Sequence, residues 1–273
     1  MKSRTAALLL LPGLVLLVAG FLVPSFVMLF SPPGIAPAEI FVRFGEMLTD
    51  PYDLRIIGRT VGIALIVTAI CISLGFPIAY LLARSTSRWS GVLLALAIFP
   101  LLLSNVVRTF GWLVVLGSNG AIGQALVGLG IVDKAPQLLY TELAIVLGLT
   151  QLFLPLAIIS CYSAVAQVDP GLDDAARGLG ATRTRTFWTV VIPLSLPGIV
   201  VAATLVFAGS VTAYTTPYLL GGSGQRMLST QLFSYSSVTI DWASASATAL
   251  IMTILVFLVS GLSSLVARRG ATS

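Results

Sequence analysis

Histidine is missing from this 273-residue chain, and lysine occurs only as Lys2 and Lys134. Charged residues make up 9% of the composition, whereas about a quarter is usual for a soluble domain. With no histidine and two cysteines, Cys71 and Cys161, far apart in apolar stretches, the usual ligand sets for a transition metal are lacking. We therefore predict no metal site, and we expect both cysteines to be buried free thiols.

The scarcity of polar residues also excludes several kinds of chemistry. A nucleotide-binding P-loop needs Gly-x4-Gly-Lys-Ser/Thr, and neither lysine lies in such a sequence. There is no basic run of the kind that binds nucleic acid, and no nucleophile with a base or pair of carboxylates is visible. We predict that the chain is not an enzyme and binds no cofactor, so that any ATP would have to bind to another chain.

The chain is instead rich in apolar residues, at 57% hydrophobic with a mean hydropathy of +1.03. The apolar stretches are continuous and do not alternate, which predicts membrane-spanning helices and excludes a barrel. The first stretch is too long for a signal peptide and lacks a convincing cleavage site, so we expect it to be retained. The prediction is an all-α integral membrane protein with a single transmembrane domain, residues 1–273. The six predicted spans are residues 6–30, 60–82, 89–104, 141–164, 194–219 and 243–266.

Residues 110–132 are apolar but rich in glycine, and Gly117–Gly120 has the composition of a turn. We interpret this stretch as a helix extension followed by a short helix on the outer surface, not as a separate crossing.

The distribution of charge predicts the orientation. Six spans place both termini on one side, whose segments hold nine basic and three acidic residues, against six basic and seven acidic residues on the other. The positive-inside rule then predicts cytoplasmic termini and a cytoplasmic loop over residues 165–193.

That loop contains a predicted short helix. Asp169 can cap it, Pro170 suits its first position, and Gly178 and Gly180 should end it. Apolar residues at helical spacing form one narrow face of small side chains, which suits insertion into a groove on a partner protein. The residues of this face are Leu172, Ala175, Ala176 and Leu179.

The loop resembles the cytoplasmic motif of bacterial ABC importer permeases, written E-A-A-x3-G-x9-I-x-L-P. The matching residues are 174–176, Gly180 and 190–193, with the spacing intact. The stretch 108–112 (R-T-F-G-W), the T-P-Y-L-L-G-G sequence at 216–222 and the long first span resemble the spermidine/putrescine type, first permease subunit. Conservative departures from the motif occur at Asp174, Val190 and Ile192.

This resemblance implies the type I ABC importer permease fold in the bacterial inner membrane. It further implies a second homologous permease, giving a probable heterodimer, two ATPase subunits that carry ATP and magnesium, and an extracytoplasmic binding protein. The substrate implied is a polyamine or related small amine; an opine, an amino-phosphonate, thiamine and ferric iron are alternatives within the family. A secondary transporter and a structural membrane protein are alternatives of other classes. The residues expected to couple to the ATPase are Asp173, Asp174, Ala175, Ala176, Arg177 and Gly180.

Candidate residues for the substrate pathway lie in the spans and at their ends. Arg108 could line the pathway or could reach the outer headgroups, with Trp112 in the aromatic belt. Tyrosine and threonine side chains beside Pro217 could hold a cationic ligand, and interhelical hydrogen bonding is the alternative. The predicted pathway residues are Arg108, Asn105, Gln151, Tyr214, Thr215 and Tyr218.

Overall fold

The computed structural model describes residues 11–85 and 87–270, with side chains as far as Leu265, and throughout these residues the regular structure is helical. The helices are α1 (Leu11–Phe30), α2 (Pro37–Met47), α3 (Pro51–Ala83), α4 (Ser90–Leu102), α5 (Asn105–Leu116), α6 (Ala121–Gly128), α7 (Glu142–Ala166), α8 (Pro170–Gly178), α9 (Arg183–Thr212), α10 (Thr215–Gly221), α11 (Leu228–Phe233) and α12 (Trp242–Gly270).

Six helical stretches of the described chain are long and apolar enough to cross a membrane. They are α1, α3, α5 together with α6, α7, α9, and α12 as far as Leu265. The predicted class, an all-α membrane protein with six spans, is confirmed. Five of the stretches overlap predicted spans. Of the predicted first span, residues 6–10 lie outside the described residues.

The third predicted span, residues 89–104, corresponds to a helix shorter than the other predicted spans. The helix there, α4, is about 20 Å long, well short of the roughly 30 Å hydrocarbon core. Its last four residues form a 3-10 turn that contains Pro100, and Leu103 then leaves the helix with an extended ψ of 141°. Proline removes a backbone N–H and crowds the preceding turn, which explains the change from α to 3-10 geometry at Phe99.

The stretch with spanning length and composition is instead residues 105–128, which joins α5 and α6 across a turn. The turn predicted at Gly117–Gly120 is confirmed, since the amide of Gly120 donates to the carbonyl of Gly117 at 2.8 Å. The short helix predicted after this turn is α6.

The chain divides into two compact units. The larger comprises Ile56–Thr230 and the residues from Leu255 onward. Its core is formed by side chains of α3, α7 and α9, in which Cys71 and Cys161 are buried free thiols as predicted. Close approach of α7 and α9 depends on small residues: a Cβ added to Gly198 would lie 2.2 Å from the Cβ of Ala164. This is the small-residue packing typical of membrane helices.

The smaller unit comprises the residues up to Arg55 together with Gln231–Ile254. Within it, Arg43 of α2 donates from Nε to the hydroxyl of Ser244 at 2.9 Å, and this hydroxyl donates to Asp241 at 2.6 Å. Burial acts to raise the pKa of Asp241, but the hydrogen bonds from Ser244, the charge of Arg43 and the amide of Ala243 together outweigh it and lower the pKa below its ordinary value. This network joins α2 to the start of α12.

We predict that Gly198→Ala destabilises the packing of α7 on α9, because the new methyl group overlaps Ala164 and overpacking costs about 1–3 kcal/mol. The matched control is Gly62→Ala in α3, where an added Cβ meets nothing within 4 Å. Thermal unfolding of the detergent-purified protein should show a lower midpoint for Gly198→Ala and an unchanged or higher one for Gly62→Ala. Equal midpoints would contradict the close-approach interpretation.

Candidate functional site

The loop between α7 and α9 holds α8, and its first turn is built as predicted. The Asp169 carboxylate accepts a hydrogen bond from the amide of Gly171 at 2.8 Å, and Pro170 occupies the first helical position. A side-chain cap satisfies a backbone donor that the helix itself cannot, and proline has no N–H to lose there.

The end of α8 is also as predicted. The helix ends at Gly178, and Gly180 follows with a φ of +89°. The amide of Ala181 then donates to the carbonyl of Ala176 at 3.1 Å, which closes the last turn. Gly180 therefore makes the bend that leads into α9, because the left-handed conformation is strained for any residue with a Cβ.

The apolar face of α8 is largely exposed. Leu179 is 91% exposed and Leu172 is 44% exposed, while Ala175 is exposed and Ala176 half-buried. Exposed apolar side chains on an otherwise charged surface helix are typical of a protein interaction site.

The two neighbouring aspartates of α8 have opposite environments. The Asp174 side chain is 74% exposed and pairs with Arg177 on the same helix. The Asp173 side chain is 8% exposed and lies 2.9 Å from Nε of Arg84, just beyond the end of α3. The predicted coupling residues therefore do not share one face, since Asp173 is directed inward. Arg84 is a residue that the sequence analysis missed, because its partner lies far along the chain.

A cleft of about 860 Å³ lies beside α8, between the end of α3 and the beginning of α9. Arg84, Asp173 and Arg183 line its charged part, and Tyr80 and Trp188 belong to its aromatic part. The cleft joins polar groups of the α8 loop to aromatic groups at the ends of two spanning helices.

Three helices that carry predicted pathway residues, α5, α7 and α10, pack against one another. Trp112 of α5 donates from its indole N–H to Oε1 of Gln151 on α7 at 2.7 Å, and the hydroxyls of Thr109 and Thr216 lie 3.4 Å apart. Gln151 thus holds two helices together and has an acceptor already occupied.

Arg108 and Asn105 lie in the first turn of α5 and are half-buried. In the described part of the chain, Nε and Nη1 of Arg108 are buried without a hydrogen-bond partner. The rings of Tyr214 and Tyr218 stack with centroids 5.1 Å apart, and Thr215 begins α10 between them in sequence.

Pro217 was predicted to break the fifth span, but the break lies four residues before it, at Ala213. The helix ends at Thr212, Ala213 is extended with a ψ of 123°, and Pro217 lies inside the first turn of α10. Proline clashes with the carbonyl four residues before it, which here belongs to Ala213. The freed carbonyl accepts a hydrogen bond from the Ser229 hydroxyl at 2.6 Å.

Within residues 11–85 and 87–270, no three His, Cys, Asp or Glu side chains are grouped so that they could hold a metal ion.

Comparison with known proteins gives one family match and several relatives. The family described as binding-protein-dependent transport system inner membrane component matches residues 75–271. The chain is 28% identical to the spermidine/putrescine transport system permease protein PotB of Haemophilus influenzae, over 91% of this chain and 85% of that protein. It is 32% identical to the molybdenum transport system permease protein ModB of Mycobacterium bovis, over 80% of this chain and 81% of that protein.

Among solved structures, the fold is similar to a chain of a bacterial alginate ABC transporter in complex with an alginate pentasaccharide-bound periplasmic protein. The TM-score is 0.76 at 16% identity, and the superposition covers 97% of this chain and 94% of that chain.

We predict that Gly180→Ala disturbs the end of α8, because a Cβ in the left-handed region costs about 1–2 kcal/mol. Gly178→Ala is the matched control, since Gly178 lies in the right-handed helix, where alanine is favoured. Hydrogen exchange of the Ala181 amide should become faster in Gly180→Ala and stay unchanged or slow in Gly178→Ala. The same rate in both variants would contradict this explanation of the bend.

Proposed function

The chain belongs to the family of binding-protein-dependent transport system inner membrane components, and from this premise we propose that α8 docks on a separate ATPase subunit that drives transport. The chain is a permease subunit of an ABC importer, a multi-pass protein of the inner membrane. The observation that supports docking most strongly is the exposed apolar face of α8 within the family's motif, with Leu179 at its end. ATP and magnesium then belong to the ATPase subunits, and this chain binds neither.

Asp174 is the charged group of α8 best suited to a partner. Its ion pair with Arg177 is exposed and lies within one helix, and such pairs contribute about 0–1 kcal/mol. An arginine of the ATPase could therefore replace Arg177 at little cost, and Ala175 and Ala176 allow close approach. The excess of basic residues supports placing this loop and both termini in the cytoplasm, where ATP is available.

The complex would include a second, homologous permease and an extracytoplasmic binding protein. The similar alginate transporter was solved with a substrate-bound periplasmic protein, which supports delivery of the solute in this way.

For the substrate, we infer a polyamine such as putrescine or spermidine. The similarity to PotB covers most of both chains, and the stacked Tyr214 and Tyr218 offer aromatic faces of the kind that attract ammonium groups.

A second substrate class, a small oxyanion, is favoured by a different observation. Arg108 has two buried nitrogen atoms that lack an acceptor among the described residues, and an anion would supply one. The similarity to ModB, named as a molybdenum permease, agrees with this alternative.

Uptake by the complete complex in proteoliposomes distinguishes the two classes. We expect ATP-dependent accumulation of radiolabelled putrescine or spermidine that vanadate abolishes, and no accumulation of molybdate. Accumulation of molybdate instead would overturn the polyamine assignment. Uptake that persists in vanadate would favour a secondary transporter.

We further predict that Ala176→Trp prevents docking, because the indole would fill the space that a small side chain leaves for the partner. The variant should insert into the membrane at the wild-type level but lose the ATPase on affinity purification. Ser87→Trp, at an exposed position in the loop before α4, is the control and should retain it. Retention of the ATPase by Ala176→Trp would count against the docking model.

A further inference from the structure

We propose that Arg84 is a positioning residue that fixes α8 to the end of α3, so that displacement of α8 reaches the spanning helices through the Arg84–Asp173 ion pair. This inference rests on the proposed function, in which the ATPase moves α8.

The guanidinium of Arg84 contacts two parts of the α8 loop at once. Its Nε lies 2.9 Å from Oδ2 of Asp173, and its Nη1 donates to the carbonyl of Val168 at 2.9 Å. Val168 lies between the end of α7 and the cap of α8, so one side chain holds both the helix and the segment leading into it. A lysine could not make both contacts with one planar fork.

The pair is shielded from solvent. The side chain of Arg84 is 14% exposed and that of Asp173 is 8% exposed, whereas the side chains of Asp174 and Arg177 are 74% and 43% exposed. Removing one member of a shielded pair leaves an uncompensated charge and is costly, whereas removing one member of an exposed pair costs little. The surface pair also joins two residues of the same helix and cannot connect α8 to anything else.

The two side chains approach each other through a single pair of atoms, Nε of Arg84 and Oδ2 of Asp173. Among the atoms that the structure describes, Nε and Nη2 of Arg84 and Oδ1 of Asp173 are buried without a hydrogen-bond partner, so the approach of Nε to Oδ2 is an ion pair and not a hydrogen bond. The hydrogen bond from Nη1 to the carbonyl of Val168 orients the guanidinium, and the ion pair with Asp173 adds the attraction of opposite charges.

The end of α3 is in turn packed into the core. Phe76 and Ala79 of α3 belong to a buried cluster with Cys161 of α7 and Val191 of α9. The ring of Phe187, at the beginning of α9, lies 5.0 Å from the ring of Tyr80 and 5.5 Å from that of Phe76. A force applied at Arg84 therefore acts on a packed element shared by three spanning helices.

The test uses charge removal in the complete complex. Arg84→Gln and Asp173→Asn each leave one shielded charge unpaired, and Arg84→Gln/Asp173→Asn leaves none. Arg88→Gln is the matched control, because it makes the same substitution at an exposed arginine in the same loop between α3 and α4. Asp174→Asn serves as the docking control. Each complex is reconstituted with its ATPase and binding protein, and three quantities are measured: ATPase retained per permease, ATP hydrolysed, and radiolabelled putrescine transported per ATP.

We expect the two single variants to retain the ATPase but to transport about three- to tenfold less solute per ATP, because displacement of α8 is no longer transmitted to α3. The double variant should be impaired less than the product of the two single effects. Arg84→Lys should lie between wild type and Arg84→Gln, since its ammonium can still pair with Asp173. Arg88→Gln should match wild type, and Asp174→Asn should instead lower ATPase retention.

A readout that needs no substrate accompanies transport. Hydrogen exchange of the amides of residues 169–181 should become faster in Arg84→Gln and remain unchanged in Arg88→Gln. If the single variants do not assemble, the double variant decides the matter, because it leaves no unpaired charge.

Normal transport per ATP in an assembled double variant, or in Arg84→Gln, would overturn the inference. So would a fall in transport that only follows a loss of bound ATPase. A wild-type complex that retains no ATPase would instead contradict the proposed function, which keeps the two failures distinct.

Discussion

Hydrocarbon offers no hydrogen bonds, and this constraint governs the whole chain. Each backbone N–H and C=O within the bilayer must be satisfied inside the protein, which favours long helices and requires compensation wherever a helix is interrupted. Prolines mark several such interruptions. A 3-10 turn forms around Pro100, a π turn at Phe187–Val191 precedes Pro193, and the break at Ala213 lies four residues before Pro217. The carbonyl freed at Ala213 is taken up by Ser229, so this interruption remains compatible with a nonpolar environment.

The few charged residues of α8 also have separate roles. The helix directs one aspartate inward to a shielded arginine and the next outward with an apolar face. A helix that binds a partner protein and moves other helices of its own chain needs one exposed side and one side held to the rest of the chain. The two adjacent aspartates provide them within a nine-residue helix.

Local features could be predicted from the sequence, and distant pairings could not. The cap at Asp169, the bend at Gly180 and the turn at Gly117–Gly120 depend on residues within a few positions of one another, so composition and spacing sufficed. The pairing of Arg84 with Asp173 joins distant parts of the chain, and no short pattern signals it. The short length of α4 could not be predicted either, because apolar content indicates how long a stretch is but not how Pro100 changes the helix geometry within it.

Transport by the proposed mechanism depends on contact between the exposed face of α8 and the ATPase subunit. A photo-crosslinking residue at position 179, where the native leucine is 91% exposed, tests this most directly in the intact complex. We expect an adduct with the ATPase subunit that is absent when the same residue is placed at the exposed position 88. Adducts at position 179 with lipid alone, or with a protein on the opposite side of the membrane, would contradict it.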